Sequence, residues 1–378
     1  MYVLPKAVLS YLRSKHLDKW LLGYGCHLLR NLHKSIIPVP KPRHLLFAIC
    51  DHFEPMYSGD VTESVIRNRV AVWEELYPLL ARGYMDADGY YPRHTFFFPG
   101  EDPHHDSLAS LARLARKNWG EVELHLHHEG DTVESLREKL HHSLAKFAEH
   151  GHISIDASGR YRYAFVHGNW CLANAREDGN FCGVDAELPL LFETGCYADY
   201  TFPAAPDESQ PNIVNQIYWP VGDLSRKRAY EWGERAKVGE MRRDRLLIIQ
   251  GPLALSWRKH RIPLSIEGSH LTDTDPPTPK RIRSWIEQNI HISGRPEWVF
   301  VKVHTHGAQE EIASSLLGTG GRNLHRELTN RYNDGENWVL HYVTAREMYN
   351  IAVAAMEGQS GDPSLYRDYV IPPPPIVG

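Results

Sequence analysis

The sequence predicts an α/β fold built from parallel strand–helix units. Three observations predict it. Apolar runs of strand length alternate with helix-period segments three times in succession between His44 and Gly151. Polar, acidic or metal-ligating side chains recur at the ends of the apolar runs. The 378 residues, 42% hydrophobic and 24% charged, are ordinary for a globular chain able to bury a large core.

In chain order, the segment from Ala7 to Ser35 has apolar residues at helical spacing among many basic ones. It is either a helix packed on its own domain or one lying on a membrane surface or partner. "IPVPKPR" breaks it as a short linker. "HLLFAICDHFEP" is a buried strand from His44 to Cys50 with Asp51 at its end, and "ESVIRNRVAVWEELYPLLARG" is a helix stopped by Gly83. "RHTFFFPGED" is a second strand and "HDSLASLARLARKNWG" a second helix. "EVELHLHH" is the third strand, followed by a helix that Thr132 caps. The pattern then loosens. "YRYAFVHGN" reads as a strand, "VDAELPLLFETG" as a helix ending at Gly195, and "YADYTFP" as a short strand. A long polar and aromatic loop follows, up to Asp223. "DRLLIIQGP" and "EWVFVKVHTHG" are strands with the helix "TPKRIRSWIEQNI" between them, and "NWVLHYVTAREMYNIAVAAMEG" gives a last strand and helix.

A net charge of −5 argues against a nucleic-acid partner, which needs a basic footprint. Five cysteines without a CxxC pair argue against a disulfide framework and a thiolate zinc site. No leader is recognisable and no apolar run is long enough to span a bilayer, so the expected location is cytoplasmic, with membrane association through the basic amino-terminal helix. Aromatics reach 11%, which suits sugar rings as well as cores.

The polar clusters carry the chemistry. Asp51, His52 and Glu54 follow the first strand, and Glu101 and Asp102 the second. His125, His127 and His128 end the third, His167 and Asn169 follow the fourth, Asp199 lies in the fifth, and His304 and His306 end a late one. The carboxyl ends of strands in a β/α barrel converge on one face, where sites form. A carboxylate among neutral imidazoles suits Zn²⁺ or a similar divalent ion, which acidifies water and polarises a carbonyl. Along a strand His125 and His127 face one side, whereas His128 faces the other unless the strand has ended.

The order of these motifs resembles the polysaccharide deacetylase family, metal-dependent hydrolases that remove acetyl groups from sugars. "FAICDHFEP" stands where that family has a strand ending in two aspartates. "TFFFPG", Thr95 to Gly100, is similar to its next strand, "EVELHLHHE" to a compressed form of its second motif, and "VFVKVHTHG" to its last. The resemblance covers Leu45 to His306. It implies an irregular (β/α)7-type barrel over residues 41–360, an amino-terminal helical segment and linker over 1–40, a long insert, and a Pro-rich tail over 361–378. It also implies a metal-activated water attacking an N- or O-acetylated polysaccharide, oligosaccharide or precursor. The sequence departs from the family by replacing the second aspartate with His52, and the arginine-bearing third motif is not evident.

The expected ligands come from Asp51, His52, His125, His127 and His128, with Asp51 favoured as the carboxylate. Glu54 is then a candidate base, and one of His304 and His306 the acid. His167, Asn169, Trp170, Asp199, Asn215, Tyr218 and Trp219 are candidates for binding sugar, with the insert "DESQPNIVNQIYWPVGD" forming one wall of an open groove. Two other readings stand beside this one: a non-catalytic carbohydrate-binding or scaffold protein on the same fold, and an amidohydrolase-type metal hydrolase, whose barrel also uses His-x-His. Motif order favours the deacetylase, because the aspartate comes early and His-x-His third.

Overall fold

The computed structural model describes residues 14–34, 38–57, 61–256 and 265–377. The strands are β1 (Arg43–His52), β2 (His94–Pro99), β3 (Gly120–Leu126), β4 (Ser154–Ile155), β5 (Tyr161–His167), β6 (Cys196–Asp199), β7 (Ile217–Pro220), β8 (Gly233–Arg235), β9 (Leu247–Ile249), β10 (Ala254–Ser256), β11 (Ser265–Glu267), β12 (His270–Leu271), β13 (Trp298–Thr305) and β14 (Trp338–Tyr342). A central sheet runs β12-β13-β1-β2-β3-β5-β6-β9-β7-β8, with β14 also paired to β1 and β4 to β5. It is mostly parallel; β7 runs antiparallel to β8 and β9, and β4 to β5. The architecture is mixed α/β with a central, mostly parallel sheet and helices.

Strand alternation sorts the side chains onto two faces. Leu45, Phe47 and Ile49 of β1 join Val122 and Leu124 of β3 in one core, with Trp73, Leu111 and Leu140 from helices Glu63–Ala81, His105–Arg116 and Val133–Glu149. Leu46, Ala48 and Cys50 point the other way and join Phe300, Met348, Ile351 and Ala352. The last helix, Ala345–Met356, is buried along its whole length. Its sequence explains this, because it is largely apolar on every side rather than on one stripe. Thr132 does cap the helix that follows β3, in a capping box with Ser135.

Neighbouring strands pair close to their carboxyl ends, Cys50 with His304, Pro99 with His125, and Leu126 with His167, with a stagger from strand to strand. The ring centre of His52 lies 4.9 Å from that of His125 and 5.9 Å from that of His304.

Three features differ from the sequence reading. The loop before Asp223 contains β7, whose Tyr218 and Trp219 are buried. The helix expected from Ala7 is described from Leu17 to Lys34, and residues 1–13 lie outside the described part. The tail is tied to the body through Arg367, which donates to the carbonyl of Tyr342, and through Ile371, whose N–H and carbonyl both bond Asn350.

Candidate metal centre

Among the described residues, three groups of histidine and acidic side chains bring three donor atoms within 4.8 Å of one another. Their hydrogen bonds separate them. In the group of His44, His341 and Asp362, His341 donates from Nδ1 to Asp88, at 2.7 Å. Its Nε2 is left to accept from His44 Nδ1, at 2.9 Å. That chain is closed by its own bonds. In the group of His128, His167 and Glu187, the N–H of Asn169 donates to His167 Nδ1. A neutral His167 then carries its proton on Nε2, the atom a metal would need. His128 Nε2 lies 3.2 Å from Glu187. Burial works against charge on His128, but the bond to Glu187 outweighs it and raises its pKa. This is a buried ion pair.

The group of Glu54, His125 and His127 is different. Glu54 Oε1 lies 3.3 Å from His125 Nε2 and 3.1 Å from His127 Nε2. Ligands about 2.1 Å from a tetrahedral zinc sit about 3.4 Å apart, so this spacing matches a ligand set around such an ion. His127 Nδ1 is 2.5 Å from Glu101, which also accepts the His127 backbone N–H. A carboxylate behind a histidine fixes its tautomer and aims the other nitrogen, the usual arrangement behind a ligating imidazole. The charges agree. Burial pushes the Glu54 carboxyl up, but hydrogen bonds from His125 and His127 outweigh this and hold it well below the usual range. Burial pushes His127 down, but Glu101 and Glu54 raise it to about 10.

Other imidazoles surround the group. The ring centre of His52 is 4.9 Å from that of His125 and 5.0 Å from that of His306. His306 Nε2 lies 3.8 Å from Glu54, and its Nδ1 is 3.4 Å from His270. His304 stacks on His270 with ring centres 4.8 Å apart. The Nδ1 atoms of His52, His125 and His304 are buried without a hydrogen-bond partner among the described residues, and burial holds His52, His304 and His306 below the ordinary histidine pKa. A crowd of neutral imidazoles with unsatisfied nitrogens fits a divalent cation.

Asp51 is placed outside this group. It accepts from Gly307 N at 2.6 Å, and His94 Nε2 lies 2.8 Å from its other oxygen. The expected carboxylate ligand is thus committed to the turn after β13, and Glu54, expected as a base, is the carboxylate that stands within 4.8 Å of both His125 and His127. His128 and His167 sit in the ion-paired group behind. Asp199 is buried and accepts from Thr201, and burial raises its pKa to about 7.

Two cavities flank the imidazoles. One, of about 610 Å³, is lined by Glu54, Tyr57, Glu101, Asp102, His127 and Asn169. The other, of about 530 Å³, is lined among others by Trp170, Asp207, His270, Arg281 and His304. Asn169 and Trp170 thus border the site, as does the start of the long insert. Asn215, Tyr218 and Trp219 do not. Asn215 is tied to Leu253, Tyr218 donates to the carbonyl of Tyr230, and Trp219 packs in the core. The sequence reading of these three as sugar contacts is corrected: β7, a short antiparallel strand, turned Tyr218 and Trp219 inward, and Asn215 before it is held by Leu253 and Gln288.

Sequence reasoning gave no role to His94 or His270 and left Glu101 at a strand end without a task. Glu101 was within reach, because a second strand level with the third sets it beside His127. His94 and His270 begin strands and carried no comparable signal. Compared with family models, curated proteins and solved structures, the chain matches none.

Proposed function

We propose that the chain is a metal-dependent hydrolase that removes acetyl groups from an acetylated polysaccharide, oligosaccharide or precursor, on a (β/α)7-type barrel. The observation that carries the reading is the convergence of Glu54, His125 and His127 beside a cavity, with Glu101 behind His127. The deacetylase class rests on the resemblance of motif order. The barrel is supported by Lys302, which reaches from β13 to the carbonyls of Tyr200 and Phe202 beyond β6.

Glu54, His125 and His127 would hold the ion. A bound divalent ion supplies Lewis acidity, acidifying water and polarising the acetyl carbonyl. The chain's own groups do the rest. Glu101 keeps His127 in the ligating tautomer. His306 moves the proton, returning it to the leaving oxygen or nitrogen of the sugar. His270 backs its other nitrogen. Asp51 fixes the turn that carries His306 by holding the next N–H, that of Gly307. Asn169 and Trp170 border the path of a sugar chain between the two cavities.

The test measures zinc content and acetate release from acetylated chito-oligosaccharides and an O-acetylated xylan. We expect about one equivalent of zinc, as for a three-ligand catalytic site. His125→Ala should lose both metal and acetate release. A protein that takes up no divalent ion would be the non-catalytic scaffold instead. Metal binding with hydrolysis of cyclic amides alone would favour the amidohydrolase reading, which shares the paired use of His125 and His127.

A further inference from the structure

We propose that the helix Leu17–Lys34 docks the protein on an anionic lipid surface. It has two apolar faces. One is spent on the body: Leu17, Trp20 and Tyr24 are buried with Val214 and Leu253. Gly23 fixes the approach. Its N–H donates to the Asn212 side chain at 2.8 Å, and a Cβ there would stand 1.6 Å from the Asn212 carbonyl oxygen. Tyr24 accepts from the backbone N–H of Leu255, and Lys19 pairs with Glu177. The helix cannot roll without withdrawing Trp20.

The other face stays outside. Leu22 and Leu29 are 74% and 68% exposed, and Leu21 and Leu28 lie beside them at 40% and 43%. The two pairs are seven residues apart, so the four leucines form one stripe. Four exposed leucines in a row are not scattered surface residues; a contiguous patch of this kind marks an interaction site.

Charge selects the partner. The first 34 residues carry six Lys or Arg against one Asp, within a chain of net charge −5. Arg30 and Lys19, the latter paired with Glu177, share the helix with the leucine stripe, and Lys15 lies in the turn before it. A helix with leucines on one side and cations near them lies in the interface of an anionic bilayer, leucines among the acyl chains and cations among the headgroups. The acidic remainder of the chain is repelled by that surface, which leaves this helix as the face that lands. His16, at the amino end of the helix, also lines the cavity beside His304. Landing therefore brings that cavity close to the lipid.

The experiment is co-sedimentation of the full chain with vesicles of phosphatidylglycerol and phosphatidylcholine in equal parts, and with phosphatidylcholine alone. Binding is expected to the first and to be lost at high salt. Leu22→Asp with Leu29→Asp should abolish it while zinc content and thermal unfolding stay unchanged, since both side chains are exposed. Arg30→Gln should weaken it about fivefold. No binding to the mixed vesicles overturns the proposal, as does equal binding to neutral ones. A dimer in solution that the double substitution splits, without vesicle binding, overturns it in favour of a second copy.

Discussion

The sheet buries polar groups at both ends of one face, and the two ends are built on opposite rules. At the amino end, Arg346 donates to Glu121 and Asp368, Glu347 pairs with Arg93 and Arg367, and Arg367 also meets Asp86 and Asp88. Each buried arginine has a carboxylate and each buried carboxylate an arginine. At the carboxyl end, His52, His125, His127, His270, His304 and His306 gather around one carboxylate, Glu54, with Glu101 behind. Three of their nitrogens have no partner among the described residues. Burial alone does not mark a functional site. The difference lies in how charge is matched: arginines face carboxylates at the amino end, although Arg93 Nε and Arg367 Nε stay unpaired among the described residues, whereas imidazoles outnumber carboxylates at the carboxyl end.

The comparison can be broken at either end. The largest effect is expected at His306. His306→Ala should lower turnover by ~10²–10⁴ while leaving zinc content and thermal unfolding near those of the parent. Metal lost in step with activity would make it a ligand instead. Next is Arg346→Met at the other end, which leaves buried Glu121 with Thr344 and a more distant Arg93. Loss of one partner of a buried pair costs ~3–5 kcal/mol, read by chemical denaturation, and the folded fraction should still bind zinc. A loss under ~1 kcal/mol would show that the network is not what holds that end together.

Acid sharpens the contrast. Burial pushes Glu347 up, but Arg93, Arg367 and Arg346 outweigh this and lower its pKa to about 2. An acid depressed by folding stabilises the fold above its unfolded pKa, and that contribution is lost as pH falls through the folded value. Stability should therefore fall from about pH 4.5 toward pH 2, and Glu347→Gln should flatten that slope. An unchanged slope would remove Glu347 from the account. The smallest effect is expected at Trp170. Trp170→Ala should raise KM for a long acetylated chain about three- to tenfold and spare a small acetyl ester. Equal effects on both would place Trp170 at the reacting group rather than along the groove.

The carboxyl-end half of this contrast was legible in the sequence, and the arginine network at the amino end was not. Apolar runs ending in His or acidic residues marked the strands and their carboxyl ends, and parity put His125 and His127 on one side. What could not be read was which polar groups would consume each other. Asp51 looks like a ligand until His94 and Gly307 take its oxygens. His128 looks equivalent to His127 until Glu187 claims it. Tyr218 and Trp219 look like sugar contacts until β7, four residues long and set in a polar loop, turns them inward. Each depends on contacts between residues far apart in the chain, which local spacing does not encode. The last helix was easier, because an all-round apolar segment has only one place to go.

The contact between Asp51 and Gly307 has a consequence for descent. A Cβ at position 307 would stand 2.2 Å from an oxygen of Asp51. Any side chain there would push out the carboxylate that now receives the Gly307 N–H. A side chain at position 307 therefore requires a change at position 51, 256 residues away. In a set of diverged chains sharing this arrangement, a glycine directly after the histidine that follows β13 should come with an aspartate near the end of the first strand. A chain that has lost the glycine should have lost the aspartate too, and with it the hold on the turn that presents His306. That paired pattern, rather than any single histidine, is the mark by which such chains could be sorted into those that kept the device and those that abandoned it.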